Sequence, residues 1–401
     1  MSPFNFTPAS SLDRMADPRP ISGSAGGARR RVLVLTAGFG EGHNAAARAI
    51  AAACDDQAGR GTAKLVDVFA LATPILNALA RQAYFGAINR TPRLWGRFYQ
   101  WLDRSERVPQ FVGLLRRPRR HLAAILAAEQ PDAVCSTYPI YGLLLQKLAQ
   151  EGRFAVPHFT VVTDSISVNS LWWRAPATGW FLPNEDSADV LRRAGVDPAR
   201  LHVPGFPVTS FFARQRARLQ PPDLAMGAAP RVLFIVHSGT RNAEATARLL
   251  LAEPGWDVTC TVGRNTRMQH RLSDVAARHG RGAEVVGWTD QIPRLLMTQH
   301  VVVSKAGGAT TQEAIAALCP MIVNQVVPGQ EEGNYELLRR HGAGTLAETP
   351  EAVLQALRRA FADRGAGCRQ WRAALEPLAR PDAAATIADH VLTASAPRNS
   401  V

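Results

Sequence analysis

The sequence predicts an α/β protein of two doubly wound, Rossmann-like domains facing each other across a cleft. Three observations predict it. The chain has 401 residues, which corresponds to two domains at roughly 100–200 residues each. Short β-branched runs alternate with helical stretches, as parallel strands joined by crossover helices require. The alternation breaks off in a proline-rich stretch and then begins again.

Residues 1–28 are rich in Ser, Pro, Gly and Ala without periodicity and read as a flexible tail. The first domain takes residues 29–203. Its buried parallel strands are Val32–Leu35, Lys64–Phe69, Ala133–Ser136 and Phe159–Val162, with helices such as Asn44–Ala53 and Ile140–Ala149 between them. A basic, aromatic helical insertion fills about 72–128. Residues 204–230 carry Pro204, Pro207, Pro221, Pro222 and Pro230 and read as the linker. The second domain, 231–380, has strands Arg231–Val236, Val258–Val262, Glu284–Val286, Val301–Ser304 and Met321–Asn324; a C-terminal helix and tail follow over 381–401. In such sheets ligands gather at the carboxyl ends of the strands, so the loops there carry the chemistry.

Composition narrows the function classes. Apolar residues make up 46% of the chain, which excludes a mostly disordered protein. The longest charge-free run, Ala314 to Gln330, is 17 residues and holds Pro320 and Pro328, so no transmembrane helix is expected. The start lacks the basic and apolar regions of a signal peptide. Five scattered cysteines without a CxxC pair argue against disulfides and zinc and suit a cytoplasmic protein. No metal-ligand spacing appears. The net charge of +13 points to a polyanionic partner or an acidic membrane surface.

Three loops stand out. Thr36–His43 (TAGFGEGH) places three alternating glycines before a helix, which exposes N–H groups to an anion or polar ligand. As a dinucleotide fingerprint, with Asp67 as its acid, it fails where His43 replaces the third glycine. His43 instead points from the helix start into the cleft as a general base. Val303–Glu313 ends a strand, removes side chains at Gly307 and Gly308, and starts a helix through Ala309 and Thr310. That arrangement suits a diphosphate, with Glu313 available to ribose hydroxyls. Pro328–Asn334 brings Gln330, Glu331 and Asn334 to one helix start, where amide and carboxylate groups match the hydroxyls of a hexose.

Together these loops resemble the MGDG synthase and diacylglycerol glucosyltransferase family of inverting glycosyltransferases with the GT-B fold. The strongest likeness is Val301–Gly344, VVVSKAGGATTQEAIAALCPMIVNQVVPGQEEGNYELLRRHGAG, followed by FGEGH at Phe39–His43; VVTD at Val161–Asp164 and the turns Gly263–Asn265 and Gly287–Asp290 fall where the family has similar strings. The resemblance implies a UDP-sugar donor, no cofactor besides, and a lipid acceptor. It assigns the diphosphate to Gly307 and Gly308, the ribose to Glu313, and the hexose to Gln330 and Glu331; Ala309, Thr310 and Asn334 complete the expected donor-binding set. Gly263, Arg264, Trp288 and Thr289 border the rest of the donor, and His43 with Asp164 form the acid–base pair. One departure concerns the loop Val236–Thr240 (VHSGT), where the family has a glycine-rich run; Ser238 still offers a hydroxyl there.

The acceptor side is legible in charge. Residues 81–120 hold ten arginines and two acids, interleaved with seven aromatic rings. Gly42, Arg93, Trp95, Arg97, Trp101, Arg116 and Arg117 are the expected acceptor and membrane residues, with rings at headgroup level and guanidinium groups on anionic lipid. The same ingredients also suit single-stranded nucleic acid, which is not the expected partner. The reading is a peripheral enzyme on the cytoplasmic face of the cell membrane that moves galactose or glucose from a UDP-sugar to diacylglycerol. Two alternatives remain open at this stage: a lipid-independent UDP-sugar 2-epimerase, and a non-catalytic UDP-sugar-binding membrane protein.

Overall fold

The computed structural model describes residues 30–395, apart from 92, 93, 95, 98–100, 102, 106–112, 238, 281 and 330 and the side chains of 85 and 88–90. Two six-stranded parallel sheets carry the fold. In the first, β1 (Val32–Leu35), β2 (Ala63–Val66), β3 (Ala133–Ser136), β4 (His158–Val161), β5 (Gly179–Phe181) and β6 (Leu201–His202) run in the order β2-β1-β3-β4-β5-β6. Its helices are α1 (Glu41–Ala58), α2 (Val68–Ala72), α3 (Pro74–Arg90), α4 (Arg116–Glu129), α5 (Ile140–Gln150) and α6 (Glu185–Arg193). After α7 (Phe211–Gln215), the second sheet comprises β7 (Arg231–Ile235), β8 (Asp257–Thr261), β9 (Ala283–Val286), β10 (Val301–Lys305), β11 (Met321–Gln325) and β12 (Gly344–Leu346), in the order β12-β11-β10-β7-β8-β9. Its helices are α8 (Ala243–Leu251), α9 (Thr266–His279), α10 (Ile292–Thr298), α11 (Gly308–Ala316), α12 (Glu332–His341) and α13 (Pro350–Leu375), and α14 (Ala383–Ala394) ends the chain.

The fold class is the one the sequence implies. Strands β1, β3 and β4 are buried at every position, as sheets covered on both faces require. Strand order reverses beside β1 in one sheet and between β7 and β10 in the other. Those two switch points place the cleft, because neighbouring loops there diverge to opposite faces.

Several elements differ from the sequence reading. The run Lys64–Phe69 is not one strand: β2 ends at Val66, and the Asp67 carboxylate accepts the N–H of Ala70 and caps α2. Val68 and Phe69 are therefore buried from a helix, which a short apolar run cannot distinguish from a strand. The proline-rich stretch 204–230 is packed: Phe206, Val208 and Phe212 share a core with Leu233, Ile235 and Val302 of the second sheet. Helix α14 returns to the first domain, where Ile387, Ala388 and Val391 pack with Val32, Val34 and Ile50. Strands β5, β6 and β12 are two or three residues long, too short to show a period. The tail at 1–28 lies outside the described residues.

Candidate active site

A cavity of about 490 Å³ lies between the two carboxyl edges, lined from the first domain by Gly38–Asn44, Arg81, Tyr84, Thr163 and Asp164, and from the second by His237, Lys305, Gly307–Thr310, Val327, Glu331 and Asn334. It is built from helix starts. Gly42, in the first turn of α1, faces the backbone N of Ala309, in the first turn of α11. Neither helix has a side-chain cap at its N-terminus, so its first N–H groups are open to the cavity. Two positive dipole ends thus converge on one space, which favours an anion. Glycine is required at the entrance to α1, where Gly40 has φ +139°.

His43 is a buried group of this cavity. Its Nδ1 donates to the Thr137 carbonyl at 2.7 Å, and the Thr163 hydroxyl oxygen stands 2.9 Å from the same nitrogen. A carbonyl only accepts, so the ring proton sits on Nδ1 and Nε2 keeps its lone pair. Tyr138 and Trp172 pack against the ring at centroid distances of 5.2 and 6.0 Å. Burial pushes the imidazole down to about 4, against the opposing effect of the Thr137 bond, so it is neutral at physiological pH. The Asp164 carboxylate accepts from Trp172 Nε1 at 2.7 Å and also faces the cavity. Asp67, the acid of the rejected dinucleotide reading, holds the Gly38 N–H at 3.0 Å and so fixes the glycine loop.

On the donor side the Lys305 ammonium pairs with Glu331, whose second carboxylate oxygen accepts the Val327 N–H at 3.0 Å. Glu331 thus closes its own loop while lining the cavity. Asn334 donates from Nδ2 to the Ala306 carbonyl at 3.0 Å, and its buried Oδ1 has no partner among the described residues. A buried amide oxygen left unpaired costs about 1–3 kcal/mol, and a ligand hydroxyl would satisfy it. His237 occupies the loop where the resembling family has a glycine-rich run; its Nε2 meets the Ser304 hydroxyl at 2.9 Å, and burial, with Lys305 nearby, pushes it down to about 4.

Other expected residues lie away from the cavity. Glu313 is half-buried on α11 near Glu41 and Arg48 of α1; burial and Glu41 push its carboxyl up to about 7. Raised above its ordinary value of 4.5, this group favours the folded state below that pH and gives up that contribution as the pH climbs to 7. Glu313→Gln is therefore expected to raise the melting temperature at pH 8 more than at pH 5, measurable by calorimetry. Gly263, Arg264, Trp288 and Thr289 follow β8 and β9 at the same sheet edge but outside the cavity lining; Trp288 is 66% exposed, and the Thr289 hydroxyl accepts from the Gln291 N–H. Arg97, Trp101, Arg116 and Arg117 are exposed on the insertion. Ser238, Gln330, Arg93 and Trp95 lie outside the described residues.

Sequence reasoning did not single out Arg81, Tyr84, Thr163 or Lys305 for the site. They come from a helix face, a strand exit and a strand end, with no local pattern to mark them. Thr163 is 120 residues from His43. Lys305 within Val303–Glu313 and Thr163 within VVTD stand in strings already read, and for Lys305 its charge was the available signal.

A family model described as monogalactosyldiacylglycerol (MGDG) synthase matches residues 43–208. A processive diacylglycerol beta-glucosyltransferase of Bacillus cytotoxicus is 24% identical over 368 residues, covering 90% of this chain and 93% of that protein. Among solved structures, MurG of Acinetobacter baumannii aligns with a TM-score of 0.59 at 14% identity, covering 91% of this chain and 99% of that one. UDP-GlcNAc 2-epimerase from Neisseria meningitidis, bound to UDP-GlcNAc, aligns with a TM-score of 0.55 at 12% identity, over 90% of this chain and all of that one. The chain is thus similar to the MGDG synthase family model over its first domain and to processive diacylglycerol β-glucosyltransferases over most of its length, and its fold is GT-B.

Proposed function

We propose that the protein is an inverting glycosyltransferase that moves galactose or glucose from a UDP-sugar to the hydroxyl of diacylglycerol, giving a β-monoglycosyldiacylglycerol. One observation carries the reading: a neutral buried histidine whose Nε2 has no partner among the described residues shares a cavity with two uncapped helix starts and a lysine. The first is a base for an acceptor hydroxyl, and the rest stabilise a diphosphate leaving group. Relatives named for glucosyl transfer to diacylglycerol support the substrate class.

In this mechanism the α11 N–H groups at Gly308–Thr310 and Lys305 hold the diphosphate, which displaces Glu331 from part of its pairing. Asn334 Oδ1 accepts a sugar hydroxyl, beside Glu331. The acceptor oxygen approaches His43 Nε2, gives up its proton as it attacks C1, and UDP departs from the opposite face. Thr163 and the Thr137 carbonyl keep the ring aligned. Gly263, Arg264, Trp288 and Thr289 reach the nucleoside side of the donor.

The acceptor arrives from a membrane surface. Leu71, Ile75, Leu76 and Leu79 of α2 and α3 are 57–77% exposed, and Leu94, Trp101 and Leu114 are exposed beyond them. Exposed Arg97, Arg104, Arg116, Arg117 and Arg120 lie on the same insertion. Each cation adds about 1 kcal/mol of attraction to an anionic leaflet. Among the described residues no helix is long and apolar enough to cross a membrane. The exposed apolar and basic side chains support peripheral docking, and the surface proposed for it is the cytoplasmic leaflet.

The test is incubation with diacylglycerol vesicles and radiolabelled UDP-glucose or UDP-galactose, followed by chromatography of the lipids. A labelled glycolipid is expected; a changed sugar without lipid labelling would indicate an epimerase. A β-carbon on Gly308 makes ordinary contact with the Thr163 carbonyl and Asn334, at 3.7 and 3.8 Å. Gly308→Ala is therefore expected to bind UDP nearly normally, whereas Gly308→Val reaches into the diphosphate position and weakens binding at least about tenfold, read by calorimetry.

A further inference from the structure

Helix α3 is inverted with respect to an ordinary surface helix. Ile75, Leu76 and Leu79 face outward and are 57–77% exposed. Asn77, Arg81 and Tyr84, at helical spacing i, i+4 and i+7, form the opposite stripe. Arg81 and Tyr84 line the cavity. Asn77 is buried, and its Oδ1 has no partner among the described residues. The Arg81 guanidinium lies against the glycine loop: a β-carbon on Gly38 would meet its Cζ and Nη1 at 3.0 Å. Among the described residues no carboxylate forms an ion pair with Arg81.

Position separates this cation from the donor. Gly38 and Gly40 face Arg81 and Tyr84, whereas Gly42 of the same loop faces Ala309. The loop that carries His43 therefore stands between α3 and the start of α11. A guanidinium there is a set of hydrogen-bond donors on the acceptor side. Diacylglycerol offers one reacting hydroxyl and two ester carbonyls, which only accept.

We propose that Arg81 is the subsite for the ester carbonyl oxygens of the acceptor lipid. It seats the glycerol backbone so that the free hydroxyl reaches His43 Nε2, while the outward leucines and isoleucine of α3 lie among the acyl chains. The assignment rests on the reading of diacylglycerol as acceptor. It adds a residue that selects the acceptor by its ester groups.

The test compares wild-type protein with Arg81→Gln on mixed vesicles in which the mole fraction of diacylglycerol, or of its dialkyl ether analogue lacking the carbonyls, is varied. Wild type is expected to need about ten- to a hundredfold more ether than ester lipid for half-maximal rate, the range of a charge-assisted hydrogen bond. Arg81→Gln should need about that much more ester lipid and should discriminate ester from ether less than twofold. UDP affinity by calorimetry and vesicle co-sedimentation should both stay within twofold of wild type. A variant that keeps the full ester preference overturns the assignment. So does one that loses UDP affinity, which moves Arg81 to the donor, or one that loses vesicle binding, which moves it to the outer membrane face. A wild-type protein that makes no glycolipid from either lipid overturns instead the underlying reading of the acceptor.

Discussion

Replacing His43 by alanine is expected to slow glycosyl transfer by about 10²- to 10⁴-fold, the range a positioned general base contributes. UDP affinity should be nearly unchanged, because the donor contacts proposed above are Lys305 and backbone N–H groups at the two helix starts, none of which is the His43 side chain. The pH dependence adds a second reading. A base works only when neutral, and burial pushes His43 down to about 4, so kcat/KM should stay level to well below pH 6 and fall only on approach to that value. Bound diphosphate brings negative charge into the same cavity and raises the proton affinity of the ring. The acid limb of kcat should therefore lie above that of kcat/KM. Asp164 is the control: Asp164→Asn keeps the bond from Trp172 and removes the charge, so an effect on the kcat limb measures electrostatic coupling to the imidazole. Wild-type rates from His43→Ala would eliminate the assignment.

Gly333→Ala is expected to be the most disruptive single methyl group in the second domain. Gly333, at the start of α12, abuts the carbonyl of Ser165, and a β-carbon there would overlap that oxygen and crowd the Ser167 N–H. Both obstacles are backbone, so no side chain can move aside. The contact crosses the cleft and has company: Gln312 donates to the Ser165 hydroxyl at 2.9 Å, Ile166 packs on the second domain's core with φ +55°, and Arg340 pairs with Asp186 at 2.9 Å. A left-handed β-branched residue is strained and persists only where its surroundings hold it. Since the overlap lies between domains, it can be relieved by separating them. The expected result is a transfer rate reduced at least about tenfold, with UDP affinity preserved and a larger radius of gyration by solution scattering. Unaltered kcat and an unaltered radius together would show that closure does not depend on this contact.

How much of this was legible in the chain depends on the range of the signal. The paired glycines at 307 and 308, the glycine at 40 and the histidine at 43 are local: each acts through the backbone of its own loop, and a strand followed by glycine and a helix start says so directly. The longer parallel strands were legible for the same reason; β2 failed where Asp67 turned an apolar run into a helix, and β5, β6 and β12 were too short to show a period. Partners that fix the chemistry were not legible. Thr137 and Thr163 align His43 from just beyond the ends of β3 and β4, across 94 and 120 residues. The Lys305–Glu331 pair spans 26 residues and closes a loop that the sequence presents as a free polar face. Arg81 was one of ten arginines between 81 and 120, and only the packing of α3 on the glycine loop distinguishes it.

The return of α14 to the first domain means that the polypeptide passes between the lobes twice. The two passages touch: Gly205, with φ +106°, lies so close to Arg380 that a β-carbon on it would overlap that side chain. A body tethered at one point tumbles freely; tethered at two adjacent points, it swings about the line joining them. Two adjacent tethers favour rotation about that line over other relative motions of the lobes, as in a hinged jaw.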